Sequence, residues 1–487
     1  MRDFATSDSP EVQAQLDRLA KLSLPQGRFG LETIRELLAR LGNPQSAIPP
    51  AFHVAGTNGK GSTCAYLTSI LEAQGFRVHS ATKPHLVRYN ERIRLAGTLI
   101  SDELLAQLLA QVLDASVDLN PSFFEVTTAA MFLAFLTVPA DVCVIEVGLG
   151  GRFDATNVLE TAISCGIASL GIDHEAFLLA PEVGVPQEPL PRIAFEKASI
   201  AQPGVPLVTQ NYGIEVAKVV VAMARERGAR LAMRGVHWSS AIGGTIAYRD
   251  AYGALELPLP TLAGAHQADN AALAVAMLRH QQRFAISDEA MVKGITAARW
   301  PARLQLLGPG PLTALVQRAE NRHPLLNPPS SGEVAARSAD GGVSRYREGD
   351  TPPPLRGTSP TGGGFSQIPH RKVWLDGGHN PDAGLAIARY FAEAEPFHLI
   401  IGMLTSKDPS AIVAPLAGKL LSLSVVPAPG HEAHRPEDFA PHSALPVRRF
   451  KDVSSALAAL PKGGDVLIAG SLYLAGEVLR LNREFPG

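Results

Sequence analysis

Three cysteines in 487 residues, Cys64, Cys143 and Cys165, are too few and too scattered for a disulfide framework or a zinc site. Each stands among small or apolar residues, the setting of a buried free thiol in a reducing compartment. Long apolar runs are missing too. No stretch approaches the roughly 20 residues of a membrane span, and the opening Met1-Arg2-Asp3-Phe4-Ala5-Thr6 is polar and acidic rather than the apolar core of a leader. The expected location is the cytoplasm, with no membrane partner. Charge of one sign is also lacking, since Lys+Arg 44 against Asp+Glu 46 leaves a formal net charge of -2. A chain so balanced has no global basic field for nucleic acid, although local clusters still suit a small anionic ligand. Nothing in it requires more than a monomer.

What the chain has is alternation. Between residues 50 and 300, apolar strand-like runs (Phe52 to Ala55, Val142 to Val147, Ala162 to Ile167, Pro206 to Thr209) alternate with helix-like segments. That pattern predicts an α/β fold with a mostly parallel sheet covered by helices. Ser101, followed by Asp102 and Glu103, reads as the N-cap of a helix whose apolar face is Leu104, Leu105, Leu108, Leu109 and Val112. A second alternating series follows Trp300-Pro301-Ala302-Arg303, with strand candidates at Val373 to Asp376, Leu399 to Gly402, Leu423 to Val426 and Val466 to Ala469. The expected division is 1–297 for a P-loop-type ATPase domain and 298–487 for a smaller Rossmann-like domain, with ligands in the cleft where strand ends of both meet. Between Asn327 and Gly364, 14 of 38 residues are Gly or Pro, above the roughly 25–30% that marks low-complexity sequence. Residues 319–370 are expected to form a poorly ordered surface insertion, the alternative being a regulatory or partner-binding arm. Ala180 to Pro191, also proline-rich, reads as a similar loop extension.

The chemistry concentrates in a few blocks. His53-Val54-Ala55-Gly56-Thr57-Asn58-Gly59-Lys60-Gly61-Ser62 carries an apolar strand into a glycine turn. Such a turn lets backbone N–H groups converge on phosphate, with Lys60 near the β/γ-phosphates and the Ser62 hydroxyl within reach of magnesium. The match to G-x-x-x-x-G-K-[ST] is imperfect, because Val54 replaces the first glycine and Gly61 separates Lys60 from Ser62. A helix is expected from Thr63 through Ala73. Glu146 ends a second apolar strand and is followed by Gly148-Leu149-Gly150-Gly151. A carboxylate there is costly to bury, so it needs a partner, either a lysine or arginine in an ion pair or a magnesium ion. The glycines favour the metal by letting a ligand approach the backbone. By themselves, His174 reads as a loop histidine and Lys197, in a segment opening a helix, as a solvated residue. Beside Glu146 and the phosphate loop they become candidates for the same site.

Taken in order, these blocks resemble the folylpolyglutamate synthase and dihydrofolate synthase family, cousins of the muramoyl-peptide ligases. The resemblance runs through Phe29-Gly30-Leu31, Ala55 to Ser62, Pro84-His85-Leu86-Val87-Arg88-Tyr89-Asn90-Glu91-Arg92-Ile93 and Glu146 to Asn157. It continues through Glu196-Lys197-Ala198, Gly264-Ala265-His266-Gln267 with Asn270, Trp300 to Arg303, Asp376-Gly377-Gly378-His379-Asn380-Pro381 and Gly470-Ser471-Leu472-Tyr473-Leu474. The resemblance implies ATP at Gly56, Thr57, Asn58, Gly59, Lys60, Gly61, Ser62, Asn270, Arg303 and Asp376. It implies magnesium at Ser62, Glu146, His174 and Lys197, with Lys197 carbamylated by carbon dioxide so that a repelling cation becomes a ligating anion. It implies a pterin-bearing substrate at Phe29, Gly30, Leu31, Phe124, Glu125, Phe153, Asp154 and Ala155, with His379 approaching the γ-phosphate and Lys60, Lys197 and His379 as the catalytic side chains. The implied activity is bifunctional: ATP-dependent ligation of L-glutamate to dihydropteroate and to reduced folates through an acyl phosphate, the narrower alternative being one of these acceptors only.

Two departures bear on the site. Thr82-Lys83-Pro84 stands where the family pattern has serine before Pro-His-Leu, a position associated with a magnesium ligand, and a protonated lysine cannot ligate. Lys83 either points away, with Thr82 substituting, or itself neutralises phosphate. Ala198-Ser199-Ile200 replaces the family's Ala-Gly-Ile, a change expected to be tolerated.

Overall fold

A computed structural model of the chain describes residues 6–22, 30–160, 162–320 and 371–486. Phe29 and 321–370, which hold most of the expected insertion, lie outside the described residues.

The first body is built on eight strands: β1 (Ala51–Ala55), β2 (Val78–Ala81), β3 (Ile93–Leu95), β4 (Thr98–Leu99), β5 (Val142–Glu146), β6 (Ala162–Ile167), β7 (Pro206–Thr209) and β8 (Arg230–Met233). Their order is β4-β3-β2-β5-β1-β6-β7-β8. All pairings are parallel except the β2-β3 and β3-β4 edge. Strands covered on both faces must be apolar on both, and alternate residues of β5 divide accordingly. Cys143 and Ile145 enter one core with the helices Asp102–Ala115 and Phe123–Ala134. Val142 and Val144 enter the other with the helices Lys60–Ala73 and His266–His280. The three cysteines are free and buried in these cores.

Beside the parallel sheet lies an antiparallel one, β9 (Trp238–Ile242), β10 (Ile246–Asp250) and β11 (Gly253–Leu257). The sequence reading missed it because its burial alternates with exposed polar residues, leaving no apolar run to see. The buried Asp250 carboxylate anchors it by accepting from Arg279 Nε at 2.7 Å.

Among the described residues the second body has six strands: β12 (Gln305–Leu306), β13 (Val373–Leu375), β14 (Phe397–Ile401), β15 (Leu420–Val425), β16 (Val447–Arg449) and β17 (Val466–Ala469), ordered β12-β13-β17-β14-β15-β16. Only the short β12 runs antiparallel to its neighbour. Every strand expected from the sequence is present, with ends displaced by at most three residues.

Three local expectations change. The helix after the phosphate loop begins at Lys60, not Thr63, because Gly59 at φ 83° serves as N-cap. Lys197 sits in the last turn of a helix spanning Pro189–Ala198, not at its opening, since prolines begin the helix. The proline-rich 180–191 stretch is no loose extension: its Glu182 accepts from Arg152 and Arg192, which also hold Glu196 beside Lys197.

The helix carrying the phosphate loop is held close to Asp288–Ala297. A Cβ on Gly294 would lie 2.4 Å from Ile70 Cα and 2.6 Å from its nitrogen, both backbone atoms that cannot give way. Gly294→Val should therefore push the two helices apart and destabilise the protein by about 1–3 kcal/mol. Urea unfolding checks this, and an unchanged midpoint would contradict the packing.

Candidate active site

Strand β1 lies between β5 and β6, and Val54 pairs with Glu146 on one side and Gly166 on the other. The loops after all three strands therefore open side by side at one sheet edge, the crevice where parallel sheets take ligands. They are stitched together. Thr57 donates its N–H to Ser169 O at 2.7 Å and its hydroxyl to Gly171 O at 2.9 Å, and accepts from Gly171 N–H at 3.1 Å. A Cβ on Gly59 would stand 2.4 Å from Asn270 Oδ1, and one on Gly61 2.2 Å from the Trp300 ring, so these glycines let Asn270 and the Trp300 turn close on the loop. Lys60 Nζ donates to the loop's own carbonyls, Gly56 O at 3.0 Å and Thr57 O at 3.2 Å, bonds that a phosphate would replace.

Gly56, Thr57, Lys60, Gly148, Asp173, His174 and Lys197 line one small cleft. A roomier cleft beside the β3-β4 hairpin, lined by Arg88, Arg94 and Ser101, holds no comparable convergence of reactive groups. In the small cleft, burial and then the charge of Lys60 bring Lys197 down to about 7, so that much of its amine is neutral near physiological pH. Burial chiefly takes His174 to about 4, making its imidazole a neutral donor. Glu146 is pushed up by burial and drawn back by Lys60, by the Lys83 N–H (2.9 Å to Oε2), and by the charges of Lys83 and Arg303. Among the described residues no group of three His, Cys, Asp or Glu side chains could hold a metal alone. Ser62, Glu146 and His174 supply a hydroxyl, one carboxylate and an imidazole, a chemistry that fits magnesium, which takes one or two carboxylates and completes its shell with phosphate oxygens and water.

The second body reaches directly into this cleft. Asn380, the N-cap of the helix Pro381–Tyr390, donates to Asn58 Oδ1 at 3.0 Å, and Asn58 donates to Asp382 at 3.3 Å. Lys407 Nζ meets Asp173 Oδ1 at 2.5 Å, and His379 Nε2 lies 3.9 Å from Asp173 Oδ2. Burial would raise the Asp173 carboxyl, but His174, protonated in the acid range where Asp173 titrates, and Lys407 hold it well below the usual range. His379, taken down to about 4 mainly by burial, donates from Nδ1 to Gly377 O and keeps Nε2 for the cleft. Asp376 accepts from the N–H groups of Leu304 (2.8 Å) and Gly378 (2.6 Å). It thereby pins a turn in which Ala302 (φ 57°) and Leu304 (φ 45°) are both left-handed and Arg303 stands between them.

The expected substrate residues divide. Phe124 belongs to an aromatic wall with Phe123, Tyr89 and His85, crossed by the Arg92 guanidinium. Phe153 lies under the Arg152 guanidinium, Leu31 and Ala155 are buried in the same core, and Gly30 sits against Glu32. Glu125 completes a capping box with Ser122, whose N–H and hydroxyl both donate to its Oε2. Asp154 spends both oxygens on Gly148, Leu149 and Thr156, so it shapes the glycine loop from behind. Three participants went unassigned in the sequence: Asp173, Asp382 and Lys407. Their signal was position, since Asp173 and Lys407 lie in loops just past β6 and β14.

No family model matches the chain. It is 37% identical over 297 residues to the dihydrofolate synthase/folylpolyglutamate synthase of Escherichia coli (strain K12), an alignment covering 61% of this chain and 66% of that protein. The chain thus spans about two thirds of the length of that curated relative. Among solved structures, E. coli FolC in complex with DHPP and ADP superposes with a TM-score of 0.74 at 28% identity, over 97% of this chain and 98% of that one. A bifunctional folylpolyglutamate synthase/dihydrofolate synthase with Mn, AMPPNP and L-glutamate bound gives 0.73 at 27% identity over 99% of both chains. The motifs, the paired sheets and these likenesses agree: the chain belongs to the folylpolyglutamate synthase/dihydrofolate synthase family of the Mur ligase superfamily.

Proposed function

We propose that this protein is a bifunctional dihydrofolate synthase and folylpolyglutamate synthase, an ATP-dependent ligase joining L-glutamate to dihydropteroate and to reduced folates. The observation that carries the reading is the meeting of the two bodies on the phosphate loop, through Asn58 with Asn380 and Asp382 and through Asp173 with Lys407. A reactive acyl phosphate needs such a site, assembled from both sides and closed to water. The reading divides the chain into domains at 297/298 and has it work as a cytoplasmic monomer.

In this reading Gly56 to Ser62 cradle the β/γ-phosphates, and Asn270 takes the adenine. Arg303 reaches the phosphates from its strained turn, and Asp376 holds that turn for the ribose side. A divalent metal, when bound at Ser62, Glu146, His174 and Lys197, offsets charge on the transferring phosphoryl group. Lys197 suits carbamylation because addition to carbon dioxide requires a neutral amine, the form that burial beside Lys60 favours. Lys60 changes partner from its own loop to phosphate. His379 offers a neutral Nε2 near the γ-phosphate, while Lys407 and Asp173 hold the second body in place. The acceptor's carboxylate attacks the γ-phosphorus and ADP leaves. Glutamate's amine then adds to the acyl carbon, loses a proton, and expels phosphate.

Phosphate release from ATP and magnesium is expected to require L-glutamate and to occur with both dihydropteroate and tetrahydrofolate. Release with only one pterin assigns the narrower activity, and glutamate-independent release removes ligase chemistry altogether. Lys197→Ala should lower the rate at least roughly 10-fold, the scale of a damaged metal site, and short-chain carboxylates should restore part of it. Full activity in the plain variant would sink the carbamate. Lys407→Met, which removes the ammonium from Asp173 and leaves it the weaker contact of Asn380 (3.4 Å) across the two bodies, should speed amide hydrogen exchange across Thr57 to Gly59, and unchanged exchange would show that the ion pair does not hold the bodies together.

A further inference from the structure

Lys83 has no place in the chemistry above, yet it is built into the site. It stands near the start of the loop after β2, and its backbone N–H donates to Glu146 Oε2 at 2.9 Å. Its side chain does not point away, as one reading of the sequence allowed. It runs along the glycine loop, where a Cβ on Gly148 would meet Lys83 Cδ at 3.3 Å and Nζ at 3.4 Å. The residue as a whole is half-buried, but the nitrogen is shut off from solvent and has no hydrogen-bond partner.

The two carboxylates nearest in charge do not serve as that partner. Asp154 Oδ2 accepts from Gly148 N–H (3.0 Å) and Leu149 N–H (2.9 Å), and its Oδ1 accepts from Thr156 N–H (3.0 Å) and hydroxyl (2.5 Å). Glu146 turns Oε2 to the Lys83 backbone instead of the ammonium. Burial, and then the charge of Arg92, push this amine toward its neutral form while Asp154 and Glu146 draw it back, and an anion that joins it favours the ammonium. Conversely, three N–H bonds aimed into a ligand site are a ready-made anion contact.

Position in the sheet says which anion. In the order β2-β5-β1, Lys83 follows β2 and the phosphate loop follows β1. They are two strand spacings apart, about 10 Å at the usual separation, with the Gly148 loop between. The phosphates already have Lys60, the loop N–H groups and the helix N-terminus. On the Lys83 side stand His85, Phe123 and Phe124, half-buried rings joined through the buried Tyr89, which offer apolar edges to a flat ring.

Resting on the proposed function, we propose that Lys83 is a further catalytic residue, whose ammonium binds the carboxylate of the acceptor beside the γ-phosphate. One carboxylate oxygen forms the new P–O bond while the β–γ bridging bond breaks and ADP leaves with its electron pair. Lys83 donates to the other oxygen and keeps its proton throughout. Its charge offsets the repulsion between carboxylate and triphosphate, the main electrostatic obstacle to bringing two anions together.

The test compares two ligands on three proteins by calorimetry in the presence of AMPPNP and magnesium. The ligands are dihydropteroate and the same pterin-aniline without its carboxylate. The proteins are wild type, Lys83→Met and Lys83→Gln, since removing an unpartnered charge should leave the fold intact and glutamine preserves polarity if methionine does not fold. Wild type should prefer dihydropteroate at least tenfold, and both variants should lose that preference while AMPPNP affinity, measured alone, changes less than threefold. A carboxylate preference that survives in the variants overturns the assignment. So does a loss of AMPPNP affinity as large as the loss for dihydropteroate, which would place the lysine on phosphate. Wild type binding neither pterin would instead remove the proposed function, and this inference with it.

Discussion

Basic side chains gathered around one small cleft, some of them pushed toward neutrality by burial, are the constraint that the site is organised around. Lys60, Lys83, Lys197, Arg303 and Lys407 approach from five different segments, and they depress or oppose one another: Lys60 lowers Lys197, and Lys407 lowers both histidines. Against them stand few carboxylates, of which Asp154 is committed to backbone and Thr156 and Asp173 to Lys407. An excess of cations at close quarters is unstable in isolation and favourable only when polyanions arrive. The backbone answers with rigidity: stitched loops, glycines at the points of closest approach, and Asp376 clamping a left-handed turn.

That rigidity is divided between two bodies. Each could bind part of a substrate set. Leu86 and Val87 of the first body pack against the apolar core of the second, but over the phosphate loop the contact runs through small polar and charged groups. Such contacts exchange readily for ligand contacts, which suits a site that must open for substrates and close over an acyl phosphate.

How much of this was visible in the sequence follows from what each residue depends on. The parallel strands were legible because burial on both faces leaves continuous apolar runs such as Val142 to Ile145, and the phosphate loop because its glycines and lysine are adjacent in the chain. The antiparallel sheet was not, since its alternation with polar residues resembles loop. Lys407 was invisible as a participant because its meaning comes from Asp173, which lies 234 residues earlier. Glu125 and Asp154, which the resemblance places at the substrate, also carry local duties that the sequence did not announce: Glu125 Oε2 completes a helix cap and Asp154 holds a glycine loop. Lys83 was legible as a departure, but only its shielded, unpartnered nitrogen indicates a use.

The central claim is that the two bodies close on an acyl phosphate. Dihydropteroate carrying 18O in its carboxylate, turned over with ATP and L-glutamate, tests it without reference to rates. Attack of the carboxylate on the γ-phosphorus leaves one labelled oxygen in each phosphate released. Phosphate carrying one 18O is the expected result, and unlabelled phosphate, with product formed, would contradict it.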